Sequence, residues 1–173
     1  PLELPDAWLP IDPYVLGAWL GDGTSRNGGF TTADKEMVDF IRQAGYQVRK
    51  RQSDVYGYGI LGLHRKLRRN RLLANKHVPK AYLRASKEQR LALLQGLMDT
   101  DGYCCKSGSV DFTNTNKRLV VAVAELARSF GWKARIVEGR AKLYGKDCGP
   151  CWSVQWTPDL PVFRLPRKLE RLK

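Results

Sequence analysis

No apolar run in this chain of 173 residues comes near the roughly 20 that a bilayer crossing requires. Nor does it show the short apolar stretch and cleavage site of a secretory signal. These absences point to a soluble, cytoplasmic protein with no membrane partner. Cysteine is scarce: Cys104, Cys105, Cys148 and Cys151 are too few to scaffold a chain of this length and read as reduced thiols. Cys148-Gly149-Pro150-Cys151 has the spacing of a thioredoxin-type redox tetrad, which normally opens a helix. Here the alternating stretch Trp152–Thr157 follows, so a hairpin turn with incidental cysteines is expected. Adjacent Cys104 and Cys105 are a poor pair for one tetrahedral zinc ion. Acidic residues are in deficit, 17 against 30 Lys and Arg, leaving a formal charge of +13 and a pI near 9.9. A field of that size attracts a polyanion, nucleic acid above all. A hydrophobic content of 43% allows a buried core and argues against disorder.

What is present is a short pattern that occurs twice. Val15-Leu16-Gly17-Ala18-Trp19-Leu20-Gly21-Asp22-Gly23 and Leu94-Gln95-Gly96-Leu97-Met98-Asp99-Thr100-Asp101-Gly102 are both apolar helical runs ending in Asp-Gly. The first follows Asp12-Pro13, an N-cap with proline at the first helical position. The second follows Ser86-Lys87-Glu88-Gln89, a capping box. Both helices should stop at their glycine, Gly23 or Gly102. A common grammar then follows. In the first half it predicts a hairpin over Thr24–Thr32, a helix over Lys35–Ala44 closed by Gly45, and a hairpin over Gln47–Leu63. In the second half it predicts a hairpin over Tyr103–Thr113, a helix over Lys117–Phe130 closed by Gly131, and a hairpin over Lys133–Thr157. Phe30–Lys35 and Phe112–Lys117 align with each other. The fold class is α+β, a tandem αββαββ duplication with halves 1–85 and 86–173, joined through Leu72–Arg84.

Small residues lie four apart on each motif helix, Gly17 with Gly21 and Gly96 with Thr100, so each pair shares a face. Two such faces can cross closely and bring Asp22 and Asp101 together, with the carbonyls of Gly21 and Thr100 nearby. An aspartate at a helix C-terminus opposes the macrodipole unless a cation is present. Carboxylate and carbonyl oxygens suit a hard divalent ion such as Mg²⁺, with Mn²⁺ or Ca²⁺ able to replace it in binding. A lone Asp-Gly after a helix is ordinarily a turn; two copies at equal spacing in a strongly basic chain favour the metal site. Asp99 stands where the first copy has Leu20 and reads as structural.

These two motifs resemble the paired signature of LAGLIDADG homing endonucleases in their single-chain, two-repeat form, and Asn75-Lys76-His77-Val78-Pro79 is similar to the family's Lys-x-Ile-Pro block. The stretch Arg84–Gly102 is similar to inteins of bacterial or phage replication and packaging proteins. The resemblance implies two saddle-shaped antiparallel sheets around a central helix pair, acting as a monomer with internal pseudo-twofold symmetry. It also implies that Asp22 and Asp101 bind metal and that Lys76 is the active-site lysine. The second half shows no lysine at the place of Lys76; Arg164 or Lys168, in Phe163–Lys168, stands nearest, which predicts unequal halves. The nucleophilic start and His-Asn end of a splicing element are absent, so the chain reads as an endonuclease domain without its splicing flanks.

Strand alternation places Trp152, Val154 and Trp156 against the helices and Ser153, Gln155 and Thr157 on the other face. Ala134 and Ile136 likewise oppose Lys133 and Arg135, while Arg49 and Arg51 oppose Lys50 and Gln52. Long basic and amide side chains on a two-stranded ribbon can read base edges. His64–Arg71 reads as a packed helix that presents Arg65, Arg68 and Arg69 to phosphates. Arg26, Lys142, Arg164 and Lys168 complete the expected contacts to double-stranded DNA. Gly57-Tyr58-Gly59-Ile60-Leu61-Gly62 fits the dinucleotide string G-x-G-x-x-G but lacks the βαβ context and the acidic ribose partner. The expected function is Mg²⁺-dependent, site-specific double-strand DNA cleavage in intein homing at a long asymmetric site. The alternative is an inactive nucleic-acid binder of the same fold, an RNA maturase or DNA-binding regulator.

Overall fold

Asp12 and Pro13 open the first helix as their types dictate: the Asp12 carboxylate accepts from the Val15 amide at 3.1 Å, and proline occupies a position whose N–H has no helical partner. In this computed structural model, which describes residues 1–172, α1 spans Pro13–Asp22. It is followed by β1 (Gly29–Thr31), α2 (Lys35–Gln43), β2 (Val48–Lys50), β3 (Gly57–Ile60) and α3 (Leu63–Arg69). The short α4 (Lys80–Leu83) lies in the connection, and α5 (Lys87–Asp101) starts at the expected box, with Ser86 and Gln89 capping each other. The second half continues with β4 (Gly102–Cys104), β5 (Val110–Asn114), α6 (Lys117–Ser129), β6 (Arg135–Leu143), β7 (Lys146–Trp156) and α7 (Pro166–Leu169).

α1 and α5 cross at their small residues. A Cβ on Gly17 would fall within van der Waals distance of the Leu93 carbonyl and Leu97 amide, and one on Gly96 would strike the Tyr14 carbonyl and Ala18 amide. Gly21 rests on the Thr100 side chain in the same way. Tyr14–Leu20 of α1 are all buried, as are Leu93, Leu94, Leu97 and Met98 of α5, so the pair is the core of the molecule. α2 adds Met37, Val38 and Ile41, and α6 adds Leu119, Val120, Val123, Ala124 and Leu126. Both are amphipathic covers for the sheets.

The sheets are antiparallel, in the orders β1-β3-β2 and β4-β5-β7-β6. The predicted first hairpin is reduced to a single bridge between Gly23 and Phe30. Trp19 donates to the Asn27 carbonyl at 2.9 Å and Thr24 to the Gly29 carbonyl at 2.8 Å, drawing the loop too tight for a full strand. The last hairpin turns at Tyr144 and Gly145, both with positive φ, and not at the cysteine tetrad, which lies within β7. All four cysteines are free thiols. The glycine-rich decoy is the central strand β3, with Gly62 in the left-handed region where α3 begins. Gly45 and Gly131 adopt the left-handed cap expected of them, whereas Gly23 and Gly102 are extended. At those two ends glycine is required by space: a Cβ would press into Trp19 or the Met98 carbonyl.

Candidate functional site

Asp22 is the last residue of α1 and Asp101 the last of α5, and neither helix has a basic residue in its final turn. The seating of Gly21 on Thr100 puts these two ends at one place. Crowding by the protein, and then the charge of Asp101, push the Asp22 carboxyl up to about 6. Asp101 is also raised, by burial, although the Asn114 amide donates to it at 2.9 Å and so favours its charged form. Burial thus outweighs the lowering effect of the nearby Lys76 and Lys168 ammonium groups on both acids.

Each helix end is met by one lysine. The Lys76 ammonium donates to the Gly23 carbonyl at 2.7 Å and lies 5.0 Å over the Trp19 ring. The Lys168 ammonium is within hydrogen-bond distance of the carbonyls of Met98, Asp99, Thr100 and Gly102, at 2.8, 2.7, 3.2 and 2.8 Å. Gly23 and Gly102 occupy the same place in the two motifs, so Lys168 is the spatial counterpart of Lys76. Of the two residues expected as substitutes in the second half, Lys168 reaches the helix end and Arg164 does not. Lys76 lies three residues before Pro79 and Lys168 two residues after Pro166, so linear alignment cannot superpose them. Burial pushes both ammonium groups down, Lys168 to about 8 with help from neighbouring Arg167.

Three expected site residues are placed differently by this arrangement. Lys168 is 7% exposed, so it is not on a DNA-facing surface. Arg164 is taken up internally: its side chain donates to Gln95 at 2.8 Å and its guanidinium covers the Tyr14 ring at 4.2 Å. The Thr100 carbonyl, expected to face a metal, turns to the Lys168 ammonium. Asp99 is 1% exposed and accepts from the Tyr14 hydroxyl at 2.7 Å and from the amides of Arg164 and Leu165 at 3.0 and 3.1 Å. It holds the segment that carries Lys168, a structural task consistent with Leu20 at the matching position.

Among the described residues no group of three or more His, Cys, Asp or Glu is gathered. The donor set at the helix ends is two carboxylates and nearby carbonyls, oxygen alone, which fits a hard divalent ion and not zinc. Such an ion would offset the burial and the neighbouring Asp101 charge that together raise Asp22. A consequence follows for stability without metal. An acid with a folded pKa above its unfolded value binds more protons folded than unfolded, so stability falls as pH rises from about 4 to about 6. In chelator, Asp22→Asn should therefore gain in melting temperature relative to the parent across that window and hold the gain above it. A gain of about 2–4 °C corresponds to about 1 kcal/mol in a domain of this size, a scale set by solvent screening at a partly exposed group. Calorimetry from pH 4 to 8 checks it; a constant difference would refute it.

Register sorts the strand residues by face. Arg49 is opposite Gly59, which is opposite Gly29, so Arg49 and Arg51 stand on the outer face of the first sheet. Arg51 lies over Gly29 and donates to Asn27 at 3.2 Å. Lys50 shares the other face with Phe30 and Tyr58 and covers the Tyr58 ring at 4.7 Å, so it is removed from the DNA-facing set. On the second sheet Arg135, Gln155, Asp111 and Tyr103 share the outer face with Ser153 and Thr113, while Val154, Trp156, Phe112 and Ile136 point inward. Lys133, Lys142, Gln52 and Arg26 are exposed. Leu63 and Leu67 anchor α3, leaving Arg65, Arg68 and Arg69 in solvent as the helical spacing predicts. Asn114, Asn116, Asp34 and Tyr14 were not singled out from sequence, though the first three lie in the aligned segments Phe30–Lys35 and Phe112–Lys117.

Residues 88–149 match the family model of the LAGLIDADG-like domain. A replicative DNA helicase DnaB of Mycobacterium intracellulare is 37% identical over 167 residues, 96% of this chain, and the chain spans 27% of that relative's length. Among solved structures, mesophilic variants of the homing endonuclease I-DmoI are 15% identical with a TM-score of 0.52, covering 94% of this chain and 86% of theirs. A variant of I-DmoI in complex with its target DNA in the presence of Mg is 14% identical with a TM-score of 0.56, covering 86% of this chain and 89% of its own. These structural likenesses show the fold.

Proposed function

We propose that this chain is a site-specific double-strand DNA endonuclease of the LAGLIDADG kind that hydrolyses phosphodiester bonds at a long asymmetric site, with Mg²⁺ as its ion; the match of residues 88–149 to the LAGLIDADG-like domain and the fold shared with I-DmoI support it. The observation that carries this reading is the meeting of Asp22 and Asp101 at the end of two glycine-packed helices, each end capped by its own lysine. The match of nearly the whole chain to 27% of a replicative helicase supports an insertion in a host protein and hence a role in intein homing. One chain supplies both halves, which supports action as a monomer on DNA inside the cell.

In this reading Asp22 and Asp101 hold the divalent ion with the Gly21 carbonyl. An ion held there would supply a water of lowered pKa and neutralise charge at the phosphate. Asn114 fixes the orientation of the Asp101 carboxylate by its 2.9 Å hydrogen bond. Lys76 and Lys168 place one positive charge beside each acid, where negative charge grows on the phosphate oxygens. Arg49, Arg51, Lys133, Arg135, Ser153 and Gln155 meet the grooves from the sheets, and Arg26, Gln52, Arg65, Arg68, Arg69 and Lys142 add phosphate contacts.

The test is incubation with a randomised library of duplex sites, with Mg²⁺ or with chelator, and sequencing of cut ends. A recurrent long site cut only with Mg²⁺ is expected; enrichment by binding without any cut ends would identify the non-catalytic binder instead. Binding itself should weaken by ~10³ between 50 and 200 mM salt, the typical response for about six phosphate contacts. A flat salt response in a direct titration would show that the basic surface serves another purpose.

A further inference from the structure

We propose that Asp34 and Asn116 are positioning residues that act crosswise, each holding the active-site lysine of the opposite half. The inference deepens the nuclease reading and rests on it only for its cleavage test. Asp34 and Asn116 stand at the same place in the aligned segments, as the N-cap residues of α2 and α6. An N-cap aspartate ordinarily spends its carboxylate on its own helix. Asp34 makes no such bond; both of its oxygens accept from Arg167, at 2.8 Å each, in a bidentate pair across the molecule. Arg167 is the residue before Lys168 on α7, so the first half fixes from outside the turn that places the second half's lysine on Gly102.

The mirror contact has different chemistry. Asn116 caps α6 through its oxygen, accepting from the Arg118 amide at 3.1 Å, and its amide nitrogen donates to the Lys76 carbonyl at 2.9 Å. Arg118 adds a bond to the Asn75 side chain at 2.8 Å. The second half thereby fixes the backbone that delivers Lys76 to Gly23 of the first. Neither lysine is secured by its own half alone: Asp99 holds Arg164 and Leu165, and Asp34 completes the grip three residues on. A site made this way assembles both lysines only when the halves are docked.

The capping function can be separated from the crosswise one. Asn116→Asp keeps a good cap oxygen and loses the donor to Lys76; Asp34→Asn keeps a capping type and loses the ionic pair. In the intact protein, amine acetylation followed by peptide mass spectrometry should show Lys168 labelled about tenfold faster in D34N with Lys76 within twofold of the parent. N116D should show the reverse. About tenfold corresponds to about 1.4 kcal/mol, the order of the net worth of one hydrogen bond. Combining D34R with R167D should restore protection of Lys168. Equal exposure of both lysines, or of neither, would overturn the proposal, and this arm is decided even if the protein cuts no DNA. With strand-labelled duplex, D34N should slow the same strand as K168M, and N116D the same strand as K76M; matching in the other sense would overturn it as well. Absence of cleavage by the parent would count against the nuclease reading, leaving the labelling result to stand by itself.

Discussion

Asparagine in place of Asp22 or of Asp101 is expected to reduce strand cleavage below detection while leaving DNA binding within about tenfold of the parent. The expectation follows from a division of labour. The acids sit at the ends of the buried helix pair, where they can hold a divalent ion, while the basic side chains that meet phosphates lie on the outer faces of the sheets and on α3. Removing one carboxylate from a two-carboxylate site removes half of its anionic donors, and no third acid stands by among the described residues. The salt-dependent part of binding comes from phosphate contacts made elsewhere and survives. Gel-shift titration in Ca²⁺ alongside cleavage in Mg²⁺ separates the two. Parent-level cleavage by either variant would sink the assignment of the acids.

Methionine at Lys76 and at Lys168 should each lower cleavage by about 10² to 10³, the usual loss when one preorganised charge-stabilising donor is removed. The two losses should be comparable, because both ammonium groups cap a motif helix at the same glycine. Their effects on stability should differ. Lys76 has one carbonyl partner at 2.7 Å, whereas Lys168 is buried and serves four carbonyls at the end of α5. Leaving buried acceptors without a donor costs about 1–3 kcal/mol, so K168M should melt several degrees lower than K76M, since about 1 kcal/mol moves a domain of this size by about 2–4 °C. Single-turnover rates on folded protein below both melting points test the first point and calorimetry the second. Full cleavage by K168M would show that only one half depends on its lysine.

Helix starts were legible because capping is local chemistry: Asp12-Pro13 and the Ser86–Gln89 box specify their ends within four residues, and both form as read. The glycine face was legible because helical spacing alone puts Gly17 with Gly21 and Gly96 with Thr100. The stops at Gly23 and Gly102 were placed correctly for a different reason from the one expected, space for Trp19 and Met98 rather than a left-handed cap. Strand faces were legible for Arg49, Arg135 and Gln155. Alternation separates Lys50 from Arg49, but only register with Tyr58 shows the side of Lys50 to be the inner one.

What the sequence alone determined is everything carried by short spacing: two helices that each end in Asp-Gly, a duplicated α+β plan and a basic composition. Tertiary structure alone decided which groups converge on those ends. Lys168 reaches Gly102 from 66 residues away, Asp34 reaches Arg167 across 133, and Asn116 reaches the Lys76 carbonyl across 40. Such pairings have no periodicity for a linear reading to detect, since they are set by how two halves dock. Their lysines sit on opposite sides of their prolines in the chain and become equivalent only in space, because what they satisfy is the same physical demand: unpaired carbonyls and an unfavourable carboxylate at the end of a buried helix.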